Sequence, residues 1–153
     1  MKILHVLASD KFSGAENVAC QIIGMFKEDE GIEMAYCSPD GAIRKAVTER
    51  GISFYGLKKL NTKELERVVQ DYKPDLIHAH DMRASFVVSL VCKKIPFIAH
   101  IHNNAFDSRR ISLKSFAFLF AAKRAKHIFW VSKSALEGYR FKEQVQEKSS
   151  VLY

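Results

Sequence analysis

Cysteine, proline and tryptophan are scarce in this 153-residue chain, with three, three and one of each. Cys20, Cys37 and Cys92 are far apart and odd in number, which excludes a disulfide framework and any CxxC metal or redox motif. They read as buried thiols in a reducing compartment. Long apolar runs are also missing. The longest, Phe116 to Ala122, is far short of the roughly 18 residues that cross a bilayer. The opening Met1 to Ala8 is too short for a secretory h-region and is broken by His5, so no signal peptide is expected and the chain is assigned to the cytoplasm. Only Gly14 is glycine in the first strand-to-helix loop, and Cys37 and Ser38 stand where a dinucleotide fold puts its acid, which argues against a nicotinamide oxidoreductase. The basic residues are dispersed and form no RNP, KH or zinc-finger pattern, so no nucleic-acid partner is expected.

What the chain does contain is an ordinary globular composition, 48% hydrophobic and 27% charged, at a length that suits one domain over residues 1–153. Acids are outnumbered by bases, 17 to 24, giving a net charge of +7 and a pI near 9.4. The imbalance favours an anionic partner without choosing its shape.

Short apolar runs alternate with stretches of helical period along the whole chain, the pattern of βαβ units. Strands are expected near residues 2–7, 33–37, 52–55, 75–79, 96–101, 127–131 and 150–153. Between the first two, Ala15, Val18, Ala19, Ile22, Ile23 and Phe26 recur at helical spacing. A further helix over about 62–71 opens on Asn61 as N-cap, with Glu64 three residues on, and Pro74 stops it. With right-handed crossovers, the prediction is an α/β fold: a Rossmann-like, doubly wound parallel sheet of about seven strands with helices on both faces.

In such a sheet ligands bind beyond the carboxyl ends of the strands. Four segments bring chemistry to that edge. Ser9 to Glu16 joins the first strand to a helix N-terminus, where free amides favour an anion. Its Gly14 serves either that purpose or merely a tight turn. His78 and His80 sit two apart on one strand and share a face, with Asp81 next. A binuclear metal hydrolase of HxHxDH type would need Asp at 82 and His at 83, which are Met82 and Arg83, so no metal is expected. His78 reads as a histidine bonding neighbouring backbone, and His5 as structural. His100 and His102 repeat the spacing one strand later, followed by Asn103 and Asn104, whose amides can serve sugar hydroxyls. His102, nearest the crevice, can donate to a ligand oxygen when neutral or face a phosphate when protonated. Ser132 follows the sixth strand.

Residues 109–125 hold no acid. Projected on a helix, Arg109, Leu113, Phe116, Phe120, Lys123 and Arg124 share one side, and Ile111, Lys114, Phe118, Ala121, Ala122 and Ala125 lie opposite. If the small-residue side packs inward, the other suits an anionic membrane surface. The alternative is that the phenylalanines are core and the bases snorkel.

The loop Ser13-Gly14-Ala15-Glu16, the segment Lys73 to Asp81 and the stretch Pro96 to His102 together resemble the family-four (group 1) glycosyltransferases, over the whole chain but only their N-terminal half. The resemblance implies the GT-B arrangement, two Rossmann-like domains across a cleft, and sugar transfer from a nucleotide sugar with retained configuration. It puts Gly14 under the donor phosphates, with Ser13 replacing the first glycine of the usual pair. It makes His102 the catalytic residue contacting the donor sugar, and sets His80 and Asp81 on the acceptor side. Ser13, Glu16 and Asn103 complete the substrate-binding set. It implies no cofactor, and a glycan or lipid-linked acceptor, as in bacterial surface-polysaccharide synthesis at the inner face of the membrane. Residues 149–153 look like the strand that precedes the second domain, so the donor-binding domain is expected to be absent from this chain, to be supplied in cis or trans, and the chain alone to be inactive. A non-catalytic binding or partner module, and a metal-dependent hydrolase using the His-x-His pairs, are the rival readings.

Overall fold

The computed structural model describes residues 1–103 and 109–152. Seven strands form one parallel sheet: β1 (Lys2–Val6), β2 (Glu33–Pro39), β3 (Ser53–Leu57), β4 (Leu76–His80), β5 (Phe97–Ile101), β6 (His127–Trp130) and β7 (Ser149–Val151). Their order across the sheet is β3-β2-β1-β4-β5-β6-β7, so the direction of winding reverses between β1 and β4. That reversal opens a crevice at the carboxyl rim.

The strands alternate their side chains between the two faces of the sheet. Leu4 and Val6, Ile77 and Ala79, and Ala99 and Ile101 face one core. It is closed by α3 (Thr62–Tyr72), α4 (Asp81–Val91), α5 (Leu113–Arg124) and the short α6 (Lys133–Gly138) and α7 (Lys142–Val145). On the other side α1 (Gly14–Met25) and α2 (Ile43–Thr48) cover Leu7 and Tyr36 through Ala19, Cys20, Ile23, Ile43 and Val47. By the same alternation His5, His78, His80 and His100 point away from the larger core, toward the side of α1.

Local signals set the element ends. The Asn61 side chain accepts the Glu64 amide at 2.8 Å and caps α3. Lys73, at φ 54°, ends that helix in the left-handed region, immediately before Pro74. Strand β2 runs two residues beyond the expected 37, because Ser38 and Pro39 continue the ladder against Gly56 and Leu57. The expected last residue of β7, Tyr153, lies outside the described residues. In α5, Phe118, Ala121 and Ala122 are buried while Leu113, Phe116 and Phe120 are exposed, so the small-residue side packs inward, whereas Ile111, which precedes the helix, and Lys114 in its first turn are exposed and do not share that burial. Phe118 meets Trp130 and Tyr139 edge-on at 6.0 and 5.2 Å between ring centres.

Candidate functional site

The parallel register builds a ladder of imidazoles across three strands. His5 pairs with His78 across β1 and β4, and His80 with His100 across β4 and β5. The pleat then sets His78 beneath His80 at 4.3 Å between ring centres, and His100 beneath His102 at 4.1 Å. Their nitrogens bond one another. His5 Nδ1 lies 3.0 Å from His80 Nε2, whose ring continues through Nδ1 to His102 Nε2 at 2.9 Å. Separately, His78 Nε2 meets His100 Nδ1 at 3.1 Å. The expected backbone partner of His78 is thus a side chain of the next strand, 22 residues on, a pairing no local pattern reveals. His5, read as structural, is the inner end of the longer chain.

Burial holds the ladder neutral. His5, His80 and His100 are almost inaccessible, and His78 nearly so. Desolvation pushes the imidazole pKa down to about 3 in His5 and His100, to about 2 in His78 and well below 6.5 in His80, with neighbouring imidazoles adding to it. His102 moves the same way by burial, opposed by the charges of Asp81 and Glu16.

The ladder opens on a cleft of about 440 Å³ at the carboxyl rim between β1 and β4. Ser13, Gly14, Glu16, His80, Asp81, His102 and Asn103 all line it, so the structure gathers the sequence-derived substrate set in one place. Asn104 lies outside the described residues. Leu7, Ala8, Ser9, Val18 and Val131 add to the wall. Ser132 instead caps α6, accepting the Ala135 amide at 3.1 Å.

Helix α1 begins at the cleft, turning its free amides and positive dipole end toward it. The Glu16 carboxylate folds back to accept the Ser13 amide at 3.1 Å and the Ser13 hydroxyl, which holds the turn. A methyl group on Gly14 would meet nothing within 4 Å, so the glycine keeps cleft space open rather than relieving a contact within the protein. Across the cleft Asp81 stands at φ 68°, an uncommon conformation for a non-glycine residue. It is held there as its Oδ1 accepts the His102 amide at 2.9 Å. Burial raises the Asp81 carboxyl pKa, against which the His102 amide bond and the His102 charge act.

Two histidine trios, His5-His78-His80 and His80-His100-His102, have ligand atoms within 4.8 Å and so the spacing to hold an ion. Their chemistry fits one poorly. The facing nitrogens are engaged with one another, the rings lie stacked, and neither trio contains a carboxylate to balance a buried divalent charge.

The outward side of α5 carries the second set of sequence-derived residues. Leu113 is 88% exposed, Phe116 51% and Phe120 41%. Arg109 and Lys123 are exposed as well. Arg124 is tethered: its guanidinium donates to the Ser89 carbonyl at 2.7 Å and lies over the Phe120 ring at 4.6 Å. No described helix is long and apolar enough to cross a membrane.

An all-parallel doubly wound sheet with a helix start and imidazoles meeting in a cleft at its switch point defines a Rossmann-like α/β domain. Residues 12–153 match Glycosyltransferase Family 4, and the chain belongs to that family, as an N-terminal domain of the GT-B kind. No curated protein matches it in sequence. Among solved structures it is similar to Anabaena Alr3699/HepE in complex with UDP-glucose, at a TM-score of 0.82 and 19% identity, over 100% of this chain and 43% of that one. It is likewise similar to the UDP-GlcNAc 2-epimerase of Neisseria meningitidis bound to UDP-GlcNAc (TM-score 0.70, 18% identity, 99% of this chain and 45% of that one). A third is Acinetobacter baumannii MurG (0.63, 12%, 88% and 42%). The chain spans a little under half the length of these proteins.

Proposed function

We propose that this chain is the acceptor-side half of a retaining glycosyltransferase. It forms one wall of a cleft in which a sugar passes from a nucleotide donor to a glycan or lipid-linked acceptor, in bacterial surface-polysaccharide synthesis. The observation that carries the reading is the convergence of the α1 N-terminus at Gly14 and the His80–His102 pair on one cleft. Free amides suit a diphosphate, and the imidazole of His102 suits a sugar oxygen. The solved relatives bound to UDP-glucose and UDP-GlcNAc favour a uridine diphosphate sugar as donor.

Retaining transfer develops positive charge on the departing sugar and negative charge on the diphosphate, so this wall acts by alignment and by fixed dipoles. Its residues divide that work. His102 orients the sugar, the start of α1 faces the phosphates, and Asp81 and His80 set the position of His102. The rest of the donor site is assigned to a second domain, in cis or in trans. Incubated alone with a panel of UDP- and GDP-sugars, the 153-residue chain is expected to give negligible transfer. Efficient turnover by the isolated chain contradicts the proposal.

The reading extends to the membrane. The exposed Leu113, Phe116 and Phe120, with Arg109, Lys123 and Arg124 around them, would seat α5 on an anionic leaflet, bringing a lipid-linked acceptor to the cleft. In co-sedimentation the parent is expected to follow vesicles containing anionic lipid and to leave neutral ones, and Phe116→Ser/Phe120→Ser to lose most of that binding. Equal behaviour of parent and variant counts against a membrane role.

A further inference from the structure

His5 is fully buried and its Nε2 has no hydrogen-bond partner, while its Nδ1 faces His80 Nε2 at 3.0 Å. His80 Nδ1 in turn faces His102 Nε2 at 2.9 Å. All three rings are held neutral by burial, so each carries one proton. Two such bonds in series allow two consistent arrangements. In the inward one, His102 donates to His80, His80 donates to His5, and the last proton ends on His5 Nε2 as a buried N–H with no acceptor. In the outward one, His5 Nδ1–H donates to His80 Nε2 and His80 Nδ1–H donates to His102 Nε2. What is then left unpaired in the interior is a lone pair instead of a donor, and orphaned buried N–H groups are the rarer of the two.

We propose that His5, two rings away from the cleft, is a positioning residue that fixes the tautomer of His102, so that His102 presents Nδ1–H to the ligand. The consequence is a chemical specification of the site. Nδ1 of His102 is turned away from His80 and has no partner among the described residues, on a ring that lines the cleft. A neutral Nδ1–H donates and cannot accept. The ligand atom that meets it must therefore be an acceptor, such as a hydroxyl, carbonyl or phosphoryl oxygen and not an ammonium, and His102 cannot serve there as a general base. The proposal rests on His102 facing the ligand, as in the proposed function, but the tautomer is measurable without any ligand.

Long-range ¹H–¹⁵N spectra of the ¹⁵N-labelled chain at pH 7.5 read the protonation of each ring nitrogen. The expected result is Nδ1 protonated and Nε2 bare in His5, His80 and His102. Protonated Nε2 in His102 overturns the proposal. Replacing the donor at the inner end by an acceptor, in His5→Met, is expected to reverse the chain: the thioether accepts from His80 Nε2–H, and His102 becomes protonated on Nε2. An unchanged His102 tautomer in a folded His5→Met protein overturns the role of His5, and if that variant fails to fold, the parent spectrum decides. Adding UDP-glucose to the parent separates the two claims. An Nδ1–H tautomer that does not respond to UDP-glucose leaves the relay standing and removes the donor-sugar reading, whereas a responding Nε2–H tautomer does the reverse.

Discussion

Lowering the pH from 7 to 5 is expected to unfold this domain or bring it close to unfolding, a loss far larger than most soluble domains show over that range. The cause is the imidazole ladder. His5, His78 and His100 have folded-state pKa values lowered to about 3, 2 and 3 by burial. In the unfolded chain the same groups titrate near 6.5. Below that pH the unfolded state binds protons that the folded state refuses, so stability falls as pH falls, beginning at about 6.5 and continuing toward the folded values. At pH 5 each of the three has lost about 2 kcal/mol, and together about 6 kcal/mol, against a typical total of about 5–15 kcal/mol. His80 and His102 shift in the same direction and add to the loss. Asp81 works the other way, because its carboxyl pKa is raised in the fold, but it is one group against five.

Urea unfolding followed by far-UV circular dichroism at pH 7, 6 and 5 is expected to show a midpoint that drops steeply across the series. A midpoint unchanged from pH 7 to 5 contradicts the neutral, water-excluded ladder. Removing one hydrogen-bonded pair as a unit, in His78→Leu/His100→Leu, leaves no orphaned partner and is expected to flatten the pH dependence.

On the proposed reading, the second large effect is on catalysis. In an enzyme that joins this chain to its donor-binding domain, His102→Ala is expected to lose about 2–4 kcal/mol of transition-state stabilisation, between roughly thirtyfold and a thousandfold in kcat/KM. That is the usual size for deleting one preorganised donor. The fold should tolerate the change, since His102 is only partly buried and stands beyond the end of β5. An unchanged kcat/KM takes His102 out of the site.

Period and punctuation carried most of the fold. Alternating runs gave seven strands, Asn61 and Pro74 bracketed α3, and the position of Phe118 with Ala121 and Ala122 on one side of α5 matched the side that packs inward. The cleft was legible for a related reason: in a doubly wound sheet the segments after β1, β4 and β5 must meet at one rim. What could not be read was the register. Whether His5 pairs with His78 or with a neighbour one residue away depends on long-range hydrogen bonds across strands 73 residues apart, and no window of sequence contains them. Once that register is known, the alternation in β1, β4 and β5 stacks the imidazoles, and the reading of His78 as a backbone-bonded histidine gives way to its pairing with His100. The left-handed backbone of Asp81 was equally hidden, since the bond that holds it comes from the amide of His102, 21 residues on at the end of the neighbouring strand.

A UDP-glucose titration of the ¹⁵N-labelled chain tests the site assignment directly. At millimolar concentrations, the range expected of half a binding site, the amide of Gly14 and the rings of His80 and His102 should shift and saturate together. Residues around the separate hollow beside Cys20, Met34 and Gly51 should stay still. Shifts confined to that hollow, or none at the rim under saturating ligand, would contradict a nucleotide-sugar cleft between β1 and β4.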